Sequence, residues 1–133
     1  MSPDLLVRNI RLLGFIALAI CIATWWMDFA GWVYICPYCR IQRSVIGLLG
    51  LLMVLPHPHH WLSRYIGSVF AVLGLVTAAM HFFSSLKEVF EGEFVWDTPW
   101  YLDSFLLSGC ALLIITGQIL LLYQSPADRA ASC

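Results

Sequence analysis

The chain has 133 residues, of which 61% are hydrophobic and only 11% charged, and its formal net charge is −1. Soluble domains carry about 25% charged residues, so a water-soluble globule of this length could not bury so much apolar surface. The near-zero net charge gives nucleic acid no electrostatic attraction, and we expect no such partner. The composition predicts a single membrane domain over residues 1–133, with the lipid bilayer as its solvent.

Four apolar segments approach the length that a membrane-spanning helix needs, roughly 17–25 residues. The first covers about 10–27 and ends at Asp28, and the second covers about 36–55 and ends before two prolines. The third covers about 65–86 and the fourth about 102–123. Lipid offers backbone polar groups no hydrogen-bond partner, so each segment is predicted to be a helix.

Short connections between the segments predict an all-α integral membrane protein, an up-down four-helix bundle. An even number of spans places both termini on one side of the membrane. The termini side carries slightly more basic residues, which predicts that it is cytoplasmic. The residues compared are Arg8, Arg11, Arg64 and Arg129 on that side, against Arg40, Arg43 and Lys87 on the other.

The third and fourth segments are joined by a predicted outer loop over about residues 87–101. Apolar residues recur at helical spacing from Leu86 to Val95, with charged residues between them. This pattern is typical of a short helix lying on the membrane surface. An irregular aromatic loop is an equal alternative.

A Cys-Pro-Tyr-Cys sequence, Cys36 to Cys39, opens the second predicted helix. Cysteines three residues apart in a first helical turn can reach each other, and proline is tolerated there because its N–H is not needed. The helix N-terminus stabilises a thiolate, so the pair can cycle through a disulfide by thiol–disulfide exchange. The alternative for a lone pair of this spacing is half of a zinc site. No further pair of ligands faces it from the outer loop, so we expect no metal.

Arg43 follows Cys39 by four residues and lies on the same helical face, with Gly47 and Gly50 below it. A guanidinium one turn below a reactive sulfur could stabilise a thiolate, or a reduced oxygen on a bound acceptor. The glycines leave room for a neighbouring helix or for a flat ring. A functional role is favoured over a side chain that simply extends to the membrane surface.

The segment Cys36-Pro-Tyr-Cys-Arg-Ile-Gln-Arg43 resembles the Cys-x-x-Cys-x-x-x-Arg signature of the disulfide bond formation protein B (DsbB/BdbC) family. Four predicted helices, with this motif opening the second, are similar to the family's topology along the whole chain. Ala79-Met-His81, near the outer end of the third segment, is also similar to a segment of some members.

The resemblance implies a quinone-linked thiol:disulfide oxidoreductase of a bacterial inner membrane, with its active site on the periplasmic side. Cys36 would exchange with thiols of a periplasmic partner, such as a protein of thioredoxin-like fold, and Cys39 would face the quinone. Arg43 would help to hold a ubiquinone or menaquinone. The His81 imidazole could hydrogen-bond a quinone carbonyl, or it could have no chemical role. Disulfide chemistry belongs outside the cytoplasm, in agreement with the predicted topology.

One usual feature of the family is missing from this chain. Its members carry a second cysteine pair in the outer loop, which passes disulfides to a soluble oxidant, whereas residues 82–109 contain no cysteine. We therefore expect a short variant in which Cys36 oxidises its substrate directly. Of the other cysteines, Cys21 and Cys110 are predicted to be packing residues within the membrane, and Cys133 a free thiol.

A function of another class also fits the sequence. The chain could be a non-catalytic accessory membrane subunit whose Cys-x-x-Cys pair is structural or docks a partner protein. Reduction of a quinone coupled to cycling of Cys36 and Cys39 is expected of the enzyme and not of the accessory subunit.

Overall fold

The computed structural model describes residues 3–33, 36–92 and 103–124, and the regular elements within these ranges are all α-helices. Their bounds are Pro3–Arg8 for α1, Ile10–Phe29 for α2, Pro37–Val54 for α3, Trp61–Glu91 for α4 and Ser104–Tyr123 for α5. The predicted all-α class is confirmed. The four long helices follow the four apolar segments in order, and the short α1 was not predicted.

Three of the described helices are long and apolar enough to cross a membrane: α2, α5 and residues Trp61–Phe90 of α4. Helix α3 is not among them, because Arg40, Gln42 and Arg43 fall within its first two turns. The expectation of apolar spanning helices is thus confirmed for three of the four segments. The helix that carries the cysteine pair is the one of mixed polarity.

The outer surface of the described helices differs from that of a water-soluble protein. Large apolar side chains face outward, as Trp26, Phe83 and Leu113 do with 73%, 69% and 76% of their surface exposed. Small polar residues such as Thr77 and Ser108 are buried between helices. Exposed apolar surface has no cost in lipid, and small residues allow helices to approach closely. The outer surface of the described helices therefore fits a lipid bilayer.

Helix α3 lies at the centre of the structure and contacts α2, α4 and α5. Its Leu49 and Met53 are fully buried and belong to a core completed by Ile115 of α5 and its neighbours. The Nε2 of Gln118 on α5 donates to the Ile46 carbonyl at 3.2 Å, a polar link between two helices. These contacts hold the site-bearing helix against the rest of the molecule.

Glycine lets α2 and α3 approach each other closely. A Cβ on Gly50 would lie 2.9 Å from the Cβ of Ala17 and 3.1 Å from the Gly14 oxygen. A Cβ on Gly47 would overlap the sulfur of Cys21. These glycines were predicted to leave room for a neighbouring helix or for a flat ring. The structure shows that a neighbouring helix, α2, occupies the space beside Gly47 and Gly50.

Helix α4 is longer than the predicted segment 65–86 at both ends. It begins after His60, whose Nδ1 accepts a hydrogen bond from the Leu62 N–H at 3.3 Å and caps the helix. It ends at Gly92, which adopts a left-handed conformation with φ of 75° and donates to the last carbonyls. The helix contains no proline, and it continues without a break through Gly67 and Gly74.

Residues 87–91, predicted to open the outer loop, are instead the last turns of α4. The helical spacing seen in the sequence there belongs to a continuing helix and not to a separate one on the surface. A helix of 31 residues is about 47 Å long, against a hydrocarbon thickness of about 30 Å. The helix is thus longer than a perpendicular span needs, and its last turns carry the Lys87–Glu91 pair at 3.4 Å. The rest of the predicted loop, over 93–101, lies outside the described residues.

Candidate functional site

Cys36 forms the N-cap of α3, and Pro37 follows as its first helical residue. The Cys36 sulfur accepts a hydrogen bond from the backbone N–H of Cys39 at 3.4 Å. A sulfur at this position faces the positive end of the helix dipole and its unbonded N–H groups. Cys36 is half-buried, so part of its surface is reachable from outside.

Cys39 differs from Cys36 in its access. It is buried, with 8% of its surface exposed, and neither cysteine is in a disulfide in this structure. The two sulfurs lie within 4.8 Å of each other. A disulfide bond needs about 2.05 Å, a distance that side-chain rotation in a first helical turn can supply. The pair thus has one sulfur toward the surface and one toward the interior.

The interior sulfur faces a cavity of about 160 Å³ between α2, α3 and α5. Most of the surface of its wall is apolar. Five of the lining residues are aliphatic, and the others are Thr24, Gln42 and Arg43 and three cysteines, Cys21, Cys39 and Cys110. Because exposed residues of α2 and α5, Ile20 and Ile114, form part of the lining, the cavity opens outward between those two helices.

The Arg43 side chain is held at this cavity by α2. Its Nη1 donates to the Thr24 carbonyl at 3.3 Å, and the Cys21 thiol donates to the Arg43 carbonyl, also at 3.3 Å. One of the five guanidinium N–H groups makes the bond to Thr24, so others remain for a ligand oxygen. The structure brings Arg43 and Cys39 to one pocket, as their shared helical face predicted.

Gln42 is a pocket residue that sequence reasoning missed. Only 3% of its surface is exposed, and its amide Nε2 has no hydrogen-bond partner among the described residues. A buried donor without a partner costs about 1–3 kcal/mol. The signal was present in the sequence, since a glutamine inside a mostly apolar helix and next to Arg43 is itself unusual.

An ion pair fixes the start of α3 to the end of α2. Arg40 Nε donates to Asp28 Oδ2 at 2.7 Å, and its Nη2 donates to Oδ1 at 3.3 Å. The Asp28 side chain is 3% exposed and that of Arg40 is 42% exposed. From the sequence, Asp28 was interpreted only as the end of the first apolar segment. In the structure, Asp28 anchors the turn that carries Cys39.

His81 lies on the α4 side of the cysteine pair and is not among the residues that line the cavity. One of its ring nitrogens is within 4.8 Å of both sulfurs. Its ring stacks on Tyr38, with centroids 5.7 Å apart and planes 17° apart, and its Nδ1 is buried without a partner among the described residues. Its role in binding a cofactor stays a prediction.

Two further cysteines lie beside the site, and one of them, Cys21, packs against Gly47 of α3. Cys21 is half-buried and Cys110 is exposed, and both line the cavity that Cys39 faces. Cys133 lies outside the described residues.

The site is a dithiol at the start of α3, with Cys36 toward the surface and Cys39 toward an apolar cavity. Arg43 and Gln42 are the polar groups that α3 contributes to that cavity. Comparisons with protein-family models, with curated proteins and with solved structures give no match to the chain.

Proposed function

We propose that the chain is a quinone-linked thiol:disulfide oxidoreductase of a bacterial inner membrane, in keeping with its resemblance to the DsbB/BdbC family. One observation carries the proposal. Cys39 lies between the half-exposed Cys36 and an apolar cavity that also holds Arg43. A thiol oxidase needs one sulfur that a protein thiolate can reach and another that faces the electron acceptor.

The reaction begins with the Cys36–Cys39 disulfide. A substrate thiolate attacks the Cys36 sulfur, forms a mixed disulfide and releases Cys39 as a thiolate. The second thiol of the substrate then attacks the substrate sulfur of this mixed disulfide. The products are a disulfide in the substrate and a free Cys36 thiol. A quinone held in the cavity would accept the two electrons of the cysteine pair together with two protons, and the Cys36–Cys39 disulfide would be restored.

The cavity suits the ring of a ubiquinone or menaquinone. Its 160 Å³ is less than the roughly 300–1,000 Å³ of pockets that enclose whole drug-sized ligands. The ring would fill it, and the opening between α2 and α5 would let the isoprenoid tail extend into lipid. Arg43 and Gln42 supply donors to quinone oxygens, which gain negative charge during reduction.

The proposal includes α3 as a fourth spanning helix and both termini in the cytoplasm. The charged residues of α3 lie in its first two turns, where a span meets the polar headgroups, and Arg40 is paired with Asp28. Glycine contacts and a buried core join α3 to its neighbours. The cysteine pair then faces the periplasm, where the substrate is a protein thiol, such as one of thioredoxin-like fold.

Quinol formation by the purified, reduced protein tests this function. Cys36→Ser and Cys39→Ser should each abolish it. Arg43→Met should raise the quinone KM about tenfold, the value of one charge-assisted hydrogen bond. Arg43→Lys should recover part of the loss, because an ammonium cannot reproduce the planar fork. The matched control is Arg8→Met at the exposed end of α1, which should leave the KM unchanged.

Two outcomes would contradict the proposal. A reduced protein that transfers no electrons to ubiquinone or menaquinone would favour the accessory subunit. Turnover that requires Cys21 or Cys110 would replace direct exchange at Cys36 with a relay through the cavity. The direct route instead predicts that Cys39→Ala, in a chain lacking the other cysteines, accumulates a Cys36–substrate mixed disulfide when it is mixed with oxidised substrate. The Cys36 thiolate attacks the substrate disulfide and releases the second substrate sulfur as a thiolate.

A further inference from the structure

Two helices bring three potential metal ligands together beside the cavity. Cys36 and Cys39 come from the first turn of α3, and His81 comes from α4. Their sulfur and ring-nitrogen atoms all lie within 4.8 Å of one another. Cys39 and His81 are each more than nine-tenths buried, while Cys36 is half-buried. The third ligand comes from a helix and not from the outer loop, where the sequence indicated none.

The spacing is close to what a tetrahedral zinc ion requires. Zinc binds sulfur at about 2.3 Å and imidazole nitrogen at about 2.0 Å, which places such donors about 3.5–3.8 Å apart. Donors already within 4.8 Å reach that separation by small side-chain rotations. The donor set of two thiolates and one imidazole is among those that select zinc.

The His81 ring is poised for a ligand that the protein itself does not supply. Its Nδ1 is buried and has no hydrogen-bond partner among the described residues. The nearby Ser85 hydroxyl donates to the His81 backbone carbonyl at 3.2 Å and not to Nδ1. The stacked Tyr38 ring fixes the orientation of the imidazole. A cation bound to this nitrogen would remove the cost of leaving it unpaired, about 1–3 kcal/mol.

We propose that the reduced protein binds one Zn²⁺ ion through Cys36, Cys39 and His81, with the fourth position open to water or to a substrate thiolate. The two thiols release two protons to solvent as they bind. Two thiolates and a neutral imidazole cancel the charge of the ion, so the complex has no net charge at the edge of the membrane.

Metal binding and disulfide formation exclude each other at this site. A Cys36–Cys39 disulfide removes both sulfur ligands, and a bound ion occupies both thiolates. The inference goes beyond the proposed oxidoreductase and does not depend on it, because binding requires only the three side chains. If both are right, Zn²⁺ inhibits the oxidase by holding the cysteine pair reduced.

Cobalt titration of the full chain in detergent tests the site. The protein is reduced without oxygen, freed of reductant and titrated with Co²⁺, which gives a sulfur-to-metal charge-transfer band when thiolates bind it. We expect one Co²⁺ per chain with the visible spectrum of a tetrahedral site, and its displacement by Zn²⁺. Protein with the disulfide closed should give no such band. Absence of binding by the reduced chain would overturn the proposal.

Variants assign the ligands. Cys36→Ser and Cys39→Ser should each remove the tetrahedral cobalt spectrum, and His81→Ala should weaken Zn²⁺ binding by about tenfold or more. The control is His57→Ala, in the exposed turn at the opposite end of α3, which should leave the affinity unchanged. An unchanged affinity in His81→Ala, or a loss in His57→Ala, would contradict the assignment.

A measurement on the unmodified chain guards against variants that fail to fold. Zn²⁺ should protect Cys36 and Cys39 from alkylation and leave the exposed Cys110 as reactive as before. Equal protection of Cys110, or none of the pair, would contradict the proposed ligands. Quinol formation is measured on metal-free protein, so failure of the zinc site and failure of the oxidoreductase remain distinguishable.

Discussion

The two halves of α3 are built in opposite ways. In residues 45–54, the packed half, Leu49 and Met53 have 0% and 1% of their surface exposed. A Cβ on Gly50 would come within 2.9 Å of α2. In residues 37–44, the site half, an open cavity lies beside Cys39, and the buried amide of Gln42 has no partner among the described residues.

The contrast shows how one short helix can serve stability and chemistry together. Close glycine contacts fix the distance between α2 and α3 at one end, and the Arg40–Asp28 pair fixes it near the other. Because α3 is held at both points, Gln42 and Arg43 of the site half need not contribute packing. Polar side chains there can be held in place for a ligand and left without a protein partner. We therefore expect substitutions in the packed half to change stability and those in the site half to change binding.

The largest effect on stability is expected for Gly50→Leu in the packed half. The new side chain would meet the Ala17 Cβ and the Gly14 oxygen, so α2 and α3 would have to separate. We expect a loss of about 3 kcal/mol in the free energy of unfolding. Denaturation in mixed detergent micelles measures it. The control is Gly117→Leu, where a Cβ would meet nothing within 4 Å, and equal losses in both variants would contradict the packed interface.

A smaller loss of stability is expected for Asp28→Asn, which breaks the ion pair between α2 and α3. Arg40 would lose the partner of a two-point ion pair, but its side chain is 42% exposed and can turn toward water. The melting temperature should fall by less than in Gly50→Leu. Alkylation of the buried Cys39 should become faster, because the first turn of α3 is no longer fixed.

The comparison for Asp28→Asn is a pair that lies on the surface. Lys87 and Glu91 are 3.4 Å apart with side chains 66% and 52% exposed. Such pairs contribute little, so Glu91→Gln should leave both the melting temperature and the Cys39 alkylation rate unchanged. If Asp28→Asn also leaves the melting temperature and the Cys39 alkylation rate unchanged, the Arg40–Asp28 pair does not position the site.

The smallest effect on stability is expected for Gln42→Leu in the site half. Replacing an amide that lacks a partner with an apolar group of similar size should leave the protein as stable as before or about 1 kcal/mol more so. If the amide donates to the quinone, affinity should fall about tenfold. Quinone titration and denaturation of the same preparation measure both. A large loss of stability would show that Gln42 belongs to the packing.

The sequence by itself determined the features that depend on local periodicity and composition. Runs of apolar residues predicted four helices, and three of them are long and apolar enough to span a membrane. The spacing of Cys36 and Cys39 predicted their proximity at a helix start, and the spacing of Cys39 and Arg43 predicted a shared face. These follow because a helix repeats every 3.6 residues, whatever packs against it.

Only the tertiary structure decided which partners these residues meet. It placed His81 beside the sulfurs and not on the cavity wall, and it paired Asp28 with Arg40. It also filled the space above Gly47 with the Cys21 side chain. Each of these contacts joins two helices, and helical periodicity gives the face of a residue without giving the rotation or height of the helix opposite. The packing of small residues between helices fixes those two quantities, and no single segment contains that information.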